Sequence, residues 1–218
     1  MSGYRFARGI SACRPADRLI LLDLENDRYF ALVDARDAAL SRLMAGTADD
    51  DDRPLIEAMA EHGLLEAVSS VEVPRLCPAL PAPLSRTPAI SHEPSLWGIA
   101  SAAAAVLCAR HAIKRRGLAA TIADLRRQRE TMRPSKGDAP DRIAASFGDA
   151  NRLVSALDQC LPRSMAMGRR LFGAGLPADL IIGVAVQPFR AHCWVQFEGR
   201  LLVDEPDTVR LFTPILML

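Results

Sequence analysis

The sequence predicts an α+β protein with two domains: a small winged-helix-like domain over residues 1–67 and a larger mixed domain over residues 95–218. Three observations lead to this prediction. Short apolar strands followed by two helices fill the first part, and a proline-rich stretch over 68–94 then changes the composition. Helices followed by a strand hairpin fill the last part. A chain of 218 residues is long enough for two such cores.

Composition excludes several classes of protein. Hydrophobic residues make up 50% of the chain, which indicates a globular protein, and a net charge of +1 gives no support for a nucleic-acid partner. Five cysteines without a C-x-x-C pair, and no apolar signal sequence in Met1–Ile10, predict free thiols in a reducing cytoplasm. The apolar stretch Leu96–Leu107 is too short to span a membrane, so we expect a buried helix there and no membrane partner.

The N-terminal domain begins with strands and ends with helices. Three strands are predicted at 9–13, 18–24 and 28–33, with a turn at Glu25–Asp27. Asp34 is the expected N-cap of a helix over 35–45 that ends at Gly46, and Asp49–Asp52 is expected to be a solvated loop. A second helix, Arg53–His62, carries Leu55, Ile56 and Met59 on one face.

This order of elements, with Leu22-Asp23-Leu24 and Asp27-Arg28-Tyr29, resembles the PqqD-like peptide-binding domain. The resemblance implies that an extended leader peptide adds to the open edge of the last strand, against the second helix. The residues implied in leader binding are Tyr29, Phe30, Ala31, Leu32, Val33, Leu55 and Met59. The alternative is that Tyr29 and Phe30 are ordinary core and surface aromatics.

The connector over 68–94 contains six prolines, which block helix and central strand, so a semi-extended linker is predicted. Beyond it, Ser95 begins a helix that ends at Gly117, and a second helix covers Ala120–Glu130. Cys108 has apolar neighbours and is expected to be an inert thiol in the core. A further helix over 149–157 leads to Cys160.

Cys160 is the candidate nucleophile. Pro162 suits the first turn of a helix but not its interior, so a helix should start at Cys160 and run to about Phe172. A thiol there has a lowered pKa because of the helix dipole, and the free N–H groups can bind an oxyanion. Asn151, Ser155 and Trp97 are candidates for a second oxyanion donor. The alternative is a buried structural cysteine.

Strands are predicted at 180–186, 190–197 and 200–204. Because side chains alternate between faces, His192 and Asp204 share one face and Cys193 points to the other. This arrangement requires an odd number of residues in the turn between the last two strands, such as three with Gly199 left-handed. A two-residue turn would place Asp204 opposite Cys193 and would contradict the prediction. A zinc site of Cys160, His192, Cys193 and Asp204 is disfavoured by the Cys193 direction and the ligand spacing, so no metal is predicted.

The order Cys160, His192, Asp204 resembles the transglutaminase-like, papain-like thiol fold. More narrowly, four stretches resemble the lasso-peptide biosynthesis B protein in its fused form: Cys160–Ala166, Leu180–Val184, Pro188–Val195 and Phe212–Leu216. In that family an Ala commonly separates the His and Trp, where this chain has Cys193.

The resemblance implies a cysteine leader peptidase with Cys160 as nucleophile, His192 as base and Asp204 as the orienting carboxylate. It also implies two partners, the leader of a lasso precursor peptide and an asparagine-synthetase-like macrolactam cyclase, and no cofactor. Two alternatives stay open: a transglutaminase-like acyl transferase or amidase, in which an amine replaces water, and a peptide-delivery protein whose thiol is vestigial.

Overall fold

The computed structural model describes residues 3–79, 95–135, 139–153 and 159–218. The chain divides into two compact units, Met1–Pro78 and Ala79–Leu218. Both mix helices and sheet, so the predicted α+β class is confirmed. Most of the predicted proline-rich connector, residues 80–94, lies outside the described residues.

The first unit contains two small antiparallel sheets. Its strands are β1 (Gly3–Phe6), β2 (Ile10–Cys13), β3 (Ile20–Asp23), β4 (Arg28–Phe30) and β5 (Leu65–Val68). The order β2-β3-β4 matches the three predicted strands, with β4 at one edge. The second sheet, β1 with β5, was not predicted, because its partners lie far apart in the chain and neither has a local turn signal.

Two helices follow the three-stranded sheet, α1 (Asp34–Ala45) and α2 (Arg53–Glu61). The prediction of Asp34 as N-cap is wrong: β4 ends at Phe30, and Val33 is the extended cap residue. Gly46, with φ of 72°, ends α1 as expected. The acidic loop is only partly solvated, because Asp52 is buried and pairs with Arg42 at 2.5 Å.

The first unit extends past the predicted boundary at residue 67. The amide of Tyr4 donates to the carbonyl of Glu72 at 2.9 Å, and the amide of Cys77 donates to the carbonyl of Ala12 at 2.8 Å. These backbone hydrogen bonds hold residues 69–78 against the strands. The core beneath them is formed by Ala12, Leu19, Leu21, Leu40, Ile56, Met59 and Leu65.

The described part of the second unit has four helices: α3 (Leu96–Thr131), α4 (Ala139–Leu153), α5 (Cys160–Gly173) and α6 (Pro206–Val209). The hydroxyl of Ser95 accepts a hydrogen bond from the amide of Gly98 at 3.0 Å and caps α3, as its predicted start requires. Gly117, with φ of 82° and ψ of 165°, interrupts α3 where the sequence places a helix end.

The first half of α3 is mostly exposed, so the prediction of a buried helix there is wrong. By length and composition α3 could cross a membrane, and 11% of its most apolar 18-residue window is buried. Ala102 and Val106 pack inward, whereas Cys108 lies on the exposed side. The prediction of a core thiol at Cys108 therefore fails, because its apolar neighbours in sequence do not surround it in space.

The second unit also contains an antiparallel sheet in the order β8-β7-β6-β9. Its strands are β6 (Asp179–Val186), β7 (Phe189–Phe197), β8 (Arg200–Leu201) and β9 (Thr213–Met217). Helix α5 packs against β6 and β7, and a Cβ on Gly168 would lie 3.3 Å from Leu180. Ile181, Trp194, Leu201 and Val209 form a second cluster, so both sheet faces are largely buried.

Candidate active site

Helix α5 begins at Cys160, as the position of Pro162 predicts. The amide of Arg163 donates to the carbonyl of Gln159 at 3.0 Å, which closes the first turn. The amides of Cys160 and Leu161 precede that bond, at the positively polarised end of the helix. The candidate nucleophile thus lies beside backbone donors that the helix itself does not need.

His192 lies on β7 between Asp204 and Cys160. Its Nε2 is 2.9 Å from Oδ1 of Asp204, and the thiol of Cys160 is also hydrogen-bonded to its ring. The bond to Asp204 leaves Nδ1 for the thiol. The side chains of His192 and Asp204 are 16% and 8% exposed, so the three predicted groups form a hydrogen-bonded chain largely shielded from water.

Asp204 reaches His192 by a route other than the predicted one. Gln196 pairs with Leu201 and Phe197 with Arg200, so the turn has two residues, not three. Strand β8 ends at Leu201, and the chain bends away from the ladder before Asp204. The parity condition was therefore wrong, because Asp204 does not belong to a strand. Because the turn has two residues, Leu201 lies opposite Gln196 and shares a sheet face with it instead of with Cys193.

The backbone of Cys193 attaches β7 to the start of α5. Its amide is hydrogen-bonded to the thiol of Cys160, and its carbonyl accepts a hydrogen bond from the buried hydroxyl of Ser164 at 2.8 Å. The Cys193 side chain is buried in register with Ile182, on the face opposite His192, as predicted. Burial raises the pKa of the Cys193 thiol, which keeps it protonated and unreactive.

The electrostatics favour an ion pair of thiolate and imidazolium. Burial alone would raise the pKa of Cys160, but hydrogen bonds from His192 and from the Cys193 amide, with the charges of His192 and Arg163, outweigh it and lower that pKa. Burial likewise opposes charge on His192, but its bonds to Asp204 and Cys160 raise its pKa to about 9. Each group therefore stabilises the charged form of the other.

Arg163 is a site residue that the sequence reasoning missed. Its Nη2 lies 2.8 Å from Oδ1 of Asp204, and their side chains are 12% and 8% exposed. An arginine in the first turn of a helix normally points to solvent, so residue type gave no warning. The available signal was its spacing, since three residues on a helix bring Arg163 to the same side as Cys160.

Two aromatic rings flank His192. Trp194 lies parallel to the imidazole with centroids 6.1 Å apart, and Phe212 is tilted at 5.3 Å. Gly183, in register with His192, makes room for them: a Cβ there would lie 2.7 Å from the Trp194 ring and 3.0 Å from Phe212. The rings limit where the imidazole can move, and Gly183 is the second feature that sequence reasoning missed.

One of the three predicted oxyanion donors does not join this group, and the other two stay predictions. Trp97 is 86% exposed at the start of α3, while Ser155 and the Asn151 side chain lie outside the described part. Within the described ranges, no three His, Cys, Asp or Glu side chains are arranged to hold a metal ion.

The predicted leader-binding residues lie in the first unit. Tyr29 and Phe30 are on β4, while 31–33 connect it to α1 and Val33 is 69% exposed. On α2, Leu55 is half-buried, but Met59 is 2% exposed and belongs to the core.

Comparison with known proteins identifies a relative and a superfamily. Over 48 residues the chain is 42% identical to the microcin J25-processing protein McjB of Escherichia coli; the match covers 22% of this chain and 23% of that protein. No solved structure matches the chain significantly. A sequence profile of the transglutaminase-like superfamily matches residues 103–217, more than half of the chain, and that range contains Cys160, His192 and Asp204. Both findings support the resemblance to the lasso-peptide biosynthesis B protein. The chain belongs to the transglutaminase-like superfamily.

Proposed function

We propose that this protein is a cysteine leader peptidase of lasso-peptide biosynthesis, which cleaves a precursor between its leader and its core. The observation that carries the proposal is the hydrogen-bonded chain from Cys160 through His192 to Asp204. The name of McjB, which describes the processing of microcin J25, supports the substrate class.

The proposed reaction has two half-reactions. The Cys160 thiolate attacks the carbonyl carbon at the leader–core junction, and the C–N bond breaks as His192 gives its proton to the departing amine of the core. A thioester to the leader remains. His192 then takes a proton from water as the water oxygen attacks the thioester, and the C–S bond breaks to expel the Cys160 thiolate, which restores its ion pair with the His192 imidazolium. The leader leaves as a carboxylic acid, which gives its proton to the released amine or to solvent.

Backbone amides supply the charge stabilisation in this proposal. The developing oxyanion forms next to the sulfur, and the amides of Cys160 and Leu161 begin the helix that carries this sulfur. Donors that are already oriented lower the barrier without reorganising during the reaction. Pro162 has no amide hydrogen, so it leaves these two as the donors in the first three positions of α5.

The first unit would recognise the leader, as a PqqD-like domain does. In this proposal the leader adds as a strand to the edge of β4, with Tyr29, Phe30, Ala31, Leu32 and Val33 along its path. Leu55 contacts the leader from α2, while the buried Met59 supports α2 from the core. The released core would pass to an asparagine-synthetase-like cyclase in a reducing cytoplasm, with no cofactor needed for cleavage.

The test is to incubate the purified chain with the precursor peptide encoded beside its gene and to weigh the products. We expect cleavage at one junction, lost in Cys160→Ala while leader affinity is retained, because the thiol lies outside the leader-binding unit. Cys108→Ser, at an exposed thiol, is the matched control and should cleave normally.

Other outcomes would overturn the proposal in distinguishable ways. A mass gain from an added amine would indicate an acyl transferase. Binding without any mass change, identical in wild type and Cys160→Ala, would indicate a delivery protein. Loss of both binding and cleavage in Cys160→Ala would contradict the assignment of the two activities to separate units.

A further inference from the structure

Arg163 and Asp204 form a buried ion pair at the end of the hydrogen-bonded chain. One oxygen, Oδ1 of Asp204, is 2.8 Å from Nη2 of Arg163 and 2.9 Å from Nε2 of His192. The other oxygen, Oδ2, is buried and has no hydrogen-bond partner among the described residues. The orientation of the carboxylate therefore depends on two contacts to a single atom.

A buried carboxylate is costly unless a cation accompanies it. His192 cannot serve as that cation throughout the proposed reaction, because it gives up its proton in one half-reaction and regains it in the next. Arg163 keeps its charge at any pH at which proteins are studied. Its guanidinium therefore compensates Asp204 in the steps where the imidazole is neutral.

Arg163 also links the two parts of the site. It lies three residues after Cys160 on α5, while Asp204 follows β8, so the ion pair connects the helix of the nucleophile to the segment of the carboxylate. The next residue, Ser164, makes a second link to the Cys193 carbonyl at 2.8 Å. Sheet hydrogen bonds do not hold Asp204 in place, since β8 ends at Leu201.

We propose that Arg163 is a positioning residue, which holds Asp204 aimed at Nε2 of His192 so that Nδ1 faces the Cys160 thiol. This deepens the peptidase assignment, and its mechanistic value rests on that proposed function. Among the described residues, the charged and titratable groups that face the Cys160–His192 pair are Arg163 from α5, Asp204 from the segment after β8, and Cys193 from β7.

The test uses Arg163→Met, which removes the charge at similar volume, in a Cys108→Ser background so that the exposed thiol does not react. The matched control is Arg129→Met: Arg129 pairs with Asp179 in the same unit, also at 2.8 Å, but joins α3 to β6. The readouts are the pH dependence of Cys160 alkylation by iodoacetamide, followed by peptide mass mapping, and the separate kcat and KM of precursor cleavage.

We expect Arg163→Met to move the alkylation midpoint of Cys160 to higher pH and to lower kcat about 10- to 100-fold with KM unchanged, a loss comparable to removing an outer partner that orients a functional histidine. Arg129→Met should change neither. Arg163→Lys, which keeps the charge but not the shape of the guanidinium that places Nη2 against Asp204, should restore part of both. If Arg163→Met does not fold, Arg163→Leu, which also lacks both the charge and a donor for Asp204, decides the question by the same readouts.

The two proposals fail separately. Alkylation needs no peptide, so a shifted midpoint in Arg163→Met with no precursor cleaved by the wild type would support the role of Arg163 and overturn the peptidase assignment. Cleavage by the wild type, with Arg163→Met or Arg163→Leu matching Arg129→Met in midpoint and kcat, would overturn the role of Arg163 alone.

Discussion

Gly183→Ala tests the packing around His192. Gly183 is in register with His192 on the neighbouring strand, and an added Cβ would lie 2.7 and 2.8 Å from two Trp194 ring atoms. Ordinary contacts begin near 3.4 Å, so the rigid indole must move by about 0.7 Å. Trp194 is 2% exposed, so the buried ring has little free space, and the same added Cβ would also lie 3.0 Å from Phe212.

Overpacking of this kind typically costs about 1–3 kcal/mol. For a chain of this length each kcal/mol lowers Tm by about 2–4 °C, so we expect a fall of about 2–12 °C in the transition of the second unit. Since Trp194 and Phe212 flank the imidazole, the displaced rings should also slow Cys160 alkylation and precursor cleavage. Circular dichroism melting and alkylation kinetics measure the two effects.

The matched control is Gly148→Ala on α4, where an added Cβ meets nothing within 4 Å. Because Ala is a better helix former, it should be neutral or stabilising by up to about 1 kcal/mol. A Gly183→Ala protein that melts at or above the wild-type temperature and alkylates at the wild-type rate would refute the close packing of Trp194 on Gly183.

Two further predictions concern the Cys160–His192 pair. Because the pKa of His192 is raised to about 9, the imidazolium that protonates the leaving amine persists to that pH. We therefore expect kcat for cleavage to fall as pH rises through about 9. A kcat that still rises with pH there would contradict the assignment of His192 as the proton donor. His192→Ala should reduce kcat by about 10²–10⁴-fold, the usual contribution of a general acid–base group. The same change should return Cys160 alkylation to the pH dependence of an ordinary thiol, whereas a wild-type alkylation profile in His192→Ala would show that the ring does not activate the sulfur.

Local signals explain what could be read from the sequence. The start of α5 follows from Pro162, whose ring is compatible only with a first turn, and the break in α3 follows from Gly117. Strand β7 and the opposite directions of His192 and Cys193 follow from alternation within one strand. Each of these depends on a few neighbouring residues.

Features that depend on distant contacts were not predicted. The β1–β5 ladder joins the two ends of the first unit, and the position of Asp204 depends on the chain leaving the sheet after Leu201. Cys108 was assigned to the core from its sequence neighbours, although burial is decided by which helix face meets another element. The spacing of Arg163 from Cys160 places it on the same side of α5, but its pairing with Asp204 was not predictable because that partner lies 41 residues away.

The brevity of β4 bears on how a leader would be chosen. Its ladder with β3 contains three residue pairs, and alternate residues direct their backbone groups outward, so an added strand gains a few hydrogen bonds at most. At a net value of about 0.5–1.5 kcal/mol each, these bonds supply weak and sequence-independent attraction. Discrimination between one precursor and another must then come from side-chain contacts beyond the end of the strand, along residues 31–33, where a change of leader side chain would alter affinity more than a change of its backbone pairing.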